Sequence, residues 1–155
     1  RKSVRSEVDF VLTFEEIGAM FEAKGIDFAS LKPDEADPFT QASSDGRGFA
    51  VSGGVAKAVV NCIKAKEPER EVLVESAEGL ANCKKMLKLA KSGKYDGYLL
   101  EGMACPGGCV AGAGTLLPIT RATTAVKKYT NSSDKLNAND SKYKDYLERL
   151  IEEYK

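Results

Sequence analysis

The sequence predicts an α/β fold, a largely parallel sheet with flanking helices and a helical C-terminal tail. Three observations predict it. Apolar runs of strand length alternate with segments of helical periodicity, in the order strand, helix, loop, helix, strand, helix, strand. The changes of period fall at capping residues, glycines or prolines. Beyond Pro118 the periodicity is helical only.

Residues 8–12 are a short apolar run of strand type that leads into Thr13-x-x-Glu16, a capping box that starts a helix. Phe14, Ile17, Met20 and Phe21 then recur at helical spacing, and Gly25 supplies the stop. Residues 29–48 read as loop, punctuated by Pro33, Pro38, Ser43, Ser44, Gly46 and Gly48. A second helix is predicted from Gly54 to about Lys66, with Val55, Val59, Cys62 and Ile63 on one face and Pro68 past its end. Residues 71–75 contain Val-Leu-Val, a buried-strand pattern. Ser76 is placed to cap a third helix on which Leu80, Cys83, Leu87 and Ala90 lie together, ending at Gly93. Tyr98-Leu99-Leu100 is the next strand. A helix over about 119–130, a polar connection over 131–139 and a last helix from near Asn139 complete the chain; that last helix carries Tyr143, Tyr146, Leu147, Leu150, Ile151 and Tyr154.

The 155 residues, 43% hydrophobic and 30% charged, suit one globular domain and argue against disorder. Twenty-three basic residues balance 23 acidic ones, so no bulk field attracts nucleic acid or an anionic membrane, and neither is expected as a partner. No apolar run approaches the roughly 18–20 residues of a membrane span, and nothing at the start reads as a signal peptide. A cytoplasmic protein is expected. Histidine is absent, which removes Ser-His-Asp triads, Cys-His pairs, HExxH zinc sites and imidazole-bound haem. The chemistry falls to carboxylate, thiol, lysine, tyrosine or a borrowed cofactor. The opening Arg1-Lys2, with a strand close behind, reads as a piece of a longer polypeptide with functional residues upstream.

Cysteines 62, 83, 105 and 109 are not spaced as a disulfide scaffold. Cys62 and Cys83 fall on the apolar sides of predicted helices and read as small hydrophobes. Cys105 and Cys109 stand just beyond a strand, where α/β sheets collect ligands. They lie four residues apart in Glu101-Gly-Met-Ala-Cys-Pro-Gly-Gly-Cys109, with Gly112 and Gly114 following. Glycines let a backbone fold around a bulky group and aim N–H groups at it, which iron–sulfur clusters require because N–H bonds to sulfur tune their potential. Tetrahedral zinc needs more ligands, and the chain has neither histidine nor a second close thiol pair. A phosphate turn lacks its GxxxxGK[ST] pattern. A structural turn with two buried thiols is the bland reading.

The glycine-rich stretch 43–54 precedes a helix and can aim its first N–H groups at an anion, while Phe49 within it reads as cavity lining or as ordinary core. Lys84, Lys88 and Lys91, with Lys85 and Lys94 nearby, make a basic face on the third helix. That face suits solvent or the docking of an acidic electron carrier.

The cysteine run resembles the third cysteine motif of the iron-only ([FeFe]) hydrogenases, E-x-M-A-C-x-x-G-C followed by glycines. Residues 8–17, Gly25-Ile-Asp-Phe28, Glu35-Ala-Asp-Pro38 and Phe49-Ala-Val-Ser-Gly-Gly54 resemble successive segments of the same catalytic domain, so the likeness covers roughly residues 8–118. It implies that residues 1–130 form the C-terminal lobe of that domain and 131–155 a helical extension of it. It also implies an H-cluster, a [4Fe–4S] cubane joined through a cysteine sulfur to a diiron subcluster with CO, cyanide and a dithiolate, which splits hydrogen heterolytically.

Cys105 resembles a terminal cubane ligand and Cys109 the bridging cysteine, with Gly107 and Gly108 counted among the cofactor-binding residues. Met103 and Phe49 match residues that line the diiron pocket. The family's T-S-C-C-P and P-C-x-x-K motifs are absent, so this chain is half a site. The upstream lobe of the same polypeptide and an electron carrier such as ferredoxin are the implied partners, and the chain alone is expected to be inactive and need not carry metal. After Cys109 the sequence departs from the glycine run ending Gln-Pro, and the span from Gly54 to Glu101 is short. Both features fit a divergent branch. A hydrogen-sensing relative and a non-catalytic iron–sulfur-binding relative are the alternatives.

Overall fold

The computed structural model describes residues 8–32 and 42–153. Eight elements follow in order: α1 (Phe14–Ala23), α2 (Ser44–Arg47), α3 (Gly54–Lys66), β1 (Val74–Glu78), α4 (Leu80–Lys91), β2 (Leu99–Met103), α5 (Ile119–Asn131) and α6 (Lys144–Glu153). Single 3-10 turns lie at Phe28–Ser30, Cys109–Ala111 and Ala138–Asp140. Parallel strands need a crossover. Helix α4 provides it, and β1 and β2 pair in parallel from Val74↔Leu99 to Glu78↔Met103. Helix α3 packs on β2 and α4 on both strands. The predicted α/β class therefore holds, with two parallel strands and flanking helices. The 35–38 block, Pro33 and Tyr154 lie outside the described residues.

The capping box forms as predicted. Glu16 N–H donates to Thr13 Oγ1 at 3.2 Å, and Thr13 N–H donates to the Glu16 carboxylate at 2.7 Å. Helix α3 keeps its predicted bounds, but its packed side carries Ala56 and Ala58, while Val59, Cys62 and Ile63 border an open recess beside Phe49.

Several expectations are corrected. Residues 8–12 form no strand and belong to neither strand of the sheet; Phe10 and Val11 are 82% and 89% exposed. An apolar run becomes a strand only when a sheet edge takes up its backbone groups. The strand expected at 71–75 starts at Val74, because pairing with β2 sets its limits. Ser76 is consequently inside β1, and α4 starts after Gly79 without a side-chain cap. On α4 the sheet-facing side carries the buried Met86 and half-buried Cys83, against the open face of Gly102, and Leu80 and Leu87 are exposed.

The loop over 29–48 contains α2. Ser43 caps it, and Asp45 is buried against the Asn61 amide at 2.9 and 3.0 Å. The polar connection 131–139 is structured against α2: Ser44 and Asp45 N–H groups donate to the Lys135 and Leu136 carbonyls, and Arg47 reaches Ser132 Oγ at 2.9 Å. Finally, the last helix starts at Lys144, after the separate turn at Ala138–Asp140.

Among the described residues the buried hydrophobics are Ala56, Ala58, Met86 and Val110. Phe10, Phe14, Leu31, Leu116 and Leu117 are exposed. Apolar surface of this kind gains about 25 cal/mol per Å² when covered, and exposed patches of it mark interaction surfaces.

Candidate functional site

The two strands end together at Glu78 and Met103, and Gly79 N–H donates to the Met103 carbonyl at 2.8 Å. Beyond β2 the chain turns at once. Gly108 N–H closes the turn on the Cys105 carbonyl at 3.0 Å, and Gly112 N–H bonds the Cys109 carbonyl at 3.0 Å. The loop over 49–54 lies against this turn: Ser52 N–H donates to the Gly107 carbonyl and Val110 N–H to the Ala50 carbonyl, both at 3.1 Å. The approach demands glycine at 108. Its φ is +94°, and a Cβ there would stand 2.6 Å from Ser52 N. The two glycine-rich stretches, distant in sequence, are thus one structure.

Glu101 joins them. Its buried carboxylate accepts N–H groups from Gly53, from Val55 at 3.1 Å and from Ala56 at 3.0 Å. Helix N-termini leave such donors unpaired and favour negative charge. The anion for which the 43–54 stretch is suited is therefore the chain's own Glu101. That bond set ties the loop bearing Phe49 to the strand bearing Met103.

Glu78 holds the turn from the other side. Its carboxylate accepts the Gly107 N–H at 2.9 Å, with the Ser52 side chain beside it. The Gly107 amide, and secondly Ser52, hold the Glu78 carboxyl below its ordinary pKa of 4.5. The amides of both Gly107 and Gly108 are thus engaged within the protein rather than aimed outward. The sequence alone assigns no role to Glu78, Glu101 or Ser52. Glu101 opens the cysteine motif, which is a local signal, whereas nothing near Glu78 marks it.

Phe49, Met103 and Cys109 line one open cleft of about 510 Å³. Phe49 is 46% exposed and borders this space. Cys109 is exposed and also borders an apolar recess of about 340 Å³ with Phe14, Leu116 and Leu117. Cys105, half-buried, stands on the other arm of the turn and outside the cleft lining.

All four thiols are free. Cys83 donates weakly to the carbonyls of Ala77 at 3.4 Å and Met103 at 3.5 Å, and Cys62 borders the recess below Phe49. Both behave as packing residues. Among the described residues no group of three or more His, Cys, Asp or Glu side chains could hold a metal ion. A cubane takes four thiolates. Two free thiols on one glycine turn, one of them exposed beside an apolar cleft, fit as part of such a ligand set and not as the whole. Lys84, Lys88 and Lys91 are exposed on α4, which carries no acidic residue.

Residues 1–113 match the family described as iron only hydrogenase large subunit, C-terminal domain. The chain is similar to NADP-reducing hydrogenase subunit HndD of Solidesulfovibrio fructosivorans, 29% identical over 135 residues, which is 70% of this chain and 23% of that protein. It is similar to the periplasmic [Fe] hydrogenase large subunit of Nitratidesulfovibrio vulgaris, 29% identical over 141 residues, 74% of this chain and 34% of that one. Protein NAR1 of Arabidopsis thaliana is 29% identical over 146 residues, 74% of this chain and 31% of that protein. The aligned part of the chain thus spans 23% to 34% of these relatives. Among the described residues no helix is long and apolar enough to cross a membrane.

Proposed function

The chain belongs to the iron-only hydrogenase large-subunit family, in its C-terminal domain, and from that premise we propose that it forms one side of the H-cluster site of a hydrogenase interconverting hydrogen with protons and electrons. The observation that carries the proposal is the convergence of Phe49, Met103 and exposed Cys109 on one cleft, with Cys105 on the same turn. Cys105 and Cys109 bind as thiolates, soft ligands suited to iron. The remaining ligands come from an upstream lobe of the same polypeptide. The bound [4Fe–4S] and diiron group supplies the cleavage of H2 into two protons and two electrons. The protein's part is position and dryness. Glu101 fixes the Phe49 loop against β2, Met103 and Phe49 wall the cleft with apolar surface, and Gly107 and Gly108 let the backbone turn tightly between the two ligands.

In this proposal the basic face of α4 receives an acidic carrier such as ferredoxin, and the parent is cytoplasmic. The experiment is anaerobic maturation of the full-length polypeptide, followed by electron paramagnetic resonance. Cys105→Ala and Cys109→Ala each abolish the H-cluster signal, and survival of that signal in either variant refutes the ligand assignment. The match to NAR1, a protein not named as a hydrogenase, at the same 29% identity favours one further reading, an iron–sulfur-binding relative without the diiron unit. Infrared bands of CO and cyanide in the matured protein would exclude it.

A further inference from the structure

We infer that Glu78 is a positioning residue that clamps the turn between Cys105 and Cys109 and places a negative charge beside it, lowering the reduction potential of a cluster held by those thiolates. The inference rests on the function proposed above.

Glu78 ends β1 directly opposite Met103, the last residue of β2. Its carboxylate takes the Gly107 N–H at 2.9 Å, while Ser52 N–H donates to the Gly107 carbonyl at 3.1 Å. Gly107 is thereby gripped at both its amide and its carbonyl, midway between the two cysteines. The Gly107 amide, and secondly the Ser52 side chain, stabilise the ionised carboxylate, so it is charged at neutral pH. Among the described residues no lysine or arginine is ion-paired with it.

Two consequences for a cluster on Cys105 and Cys109 follow, with the same sign. The Gly107 N–H is withdrawn from any cluster sulfur, and a negative charge, exposed and sharing its groove with Lys85 and Lys94 but ion-paired with neither, stands by the ligand turn. Hydrogen bonds to sulfur and net charge both set cluster potentials, and each change here disfavours the added electron. The carboxylate does two things that a neutral side chain of the same shape would not: it holds the Gly107 amide by a charge-assisted bond, and it sets a charge beside the ligand turn.

The test uses the full-length polypeptide. Glu78→Gln keeps an acceptor for Gly107 and removes the charge. In a redox titration the reduced-to-oxidised ratio at fixed potential rises about tenfold, which is about 59 mV for one electron, with iron content unchanged. Glu75→Gln, three residues back along β1 and about 10 Å away, changes the ratio less than threefold. In the same polypeptide without metal, Glu78→Ala speeds exchange of the Gly107 amide several-fold.

A ratio altered less than twofold by Glu78→Gln, or altered equally by Glu75→Gln, overturns the inference. If Glu78→Gln loads no cluster, the amide readout decides, and unchanged Gly107 exchange in Glu78→Ala overturns it. A wild-type polypeptide that binds no cluster overturns the proposed function itself, and this inference with it.

Discussion

Replacing Glu101 by glutamine should loosen the start of α3 and leave the rest of the fold in place. The carboxylate accepts three backbone N–H groups, from Gly53, Val55 and Ala56, in a largely buried setting. Hydrogen bonds to a charged group contribute about 1.5–3 kcal/mol each, without simple additivity. A glutamine can turn its one oxygen to Val55 and Ala56, as neutral bonds. Its NH2 then meets the Gly53 N–H donor to donor. Loss of one charge-assisted bond and weakening of two, together with loss of the charge at the helix N-terminus, costs about 3 kcal/mol. At 1.4 kcal/mol per decade this is roughly a 100-fold rise in the local opening equilibrium.

Glu101→Ala, which orphans all three donors, costs about 4–5 kcal/mol. Amide hydrogen exchange resolved at Val55 and Ala56 reads this directly, with the amides of α1 as an internal reference. Exchange in Glu101→Gln within threefold of wild type at both positions would refute the claim that Glu101 ties the two segments together.

Three other outcomes are expected. Gly108→Ala should open the turn at a cost of about 2–4 kcal/mol, since φ is +94° and the new Cβ meets backbone at 2.6 Å. Gly107→Ala should cost less, because at a similar φ of +91° its nearest neighbour is a side-chain methyl of Ile119 at 3.1 Å and not backbone at 2.6 Å, and the reverse order in denaturant midpoints contradicts the packing described. Alkylation of the metal-free protein should label Cys109 first and Cys83 more slowly, as their exposure and bonding require, and earlier labelling of Cys83 tells against the site geometry. The Glu78 clamp should also follow pH. Its carboxyl titrates lower when folded, so its contribution is fully present above the ordinary value of 4.5 and is lost as pH falls below it. Gly107 amide protection that vanishes already near neutral pH would be inconsistent with this.

What the sequence made legible was local. The Thr13 capping box, the bounds of α3 and the position of Cys105 and Cys109 past a strand all depend on neighbours within a few residues, and the structure keeps them. Residues 8–12 looked like a strand because apolar pattern records what a segment can bury, not whether a sheet edge is there to receive it. Val-Leu-Val at 72–74 misplaced β1 for the same reason, as the register belongs to β2. Leu80 and Leu87 widened the apparent stripe of α4, but the close approach at Gly102 leaves room only for Cys83 and Met86.

Within the site, Phe49, Met103 and Cys109 line one cleft. The carboxylates that hold the arrangement were not legible. Glu101 acts on residues 48 to 45 positions earlier and Glu78 on one 29 positions later, separations that no helical or strand period reports.

The central claim is that the sulfurs of residues 105 and 109 hold iron. Crystals of the matured, full-length polypeptide, measured across the iron absorption edge, test it most directly. The account predicts anomalous peaks bonded to both sulfurs, with Phe49 and Met103 walling the space beside the one on Cys109. A loaded protein whose iron lies on neither sulfur would contradict it.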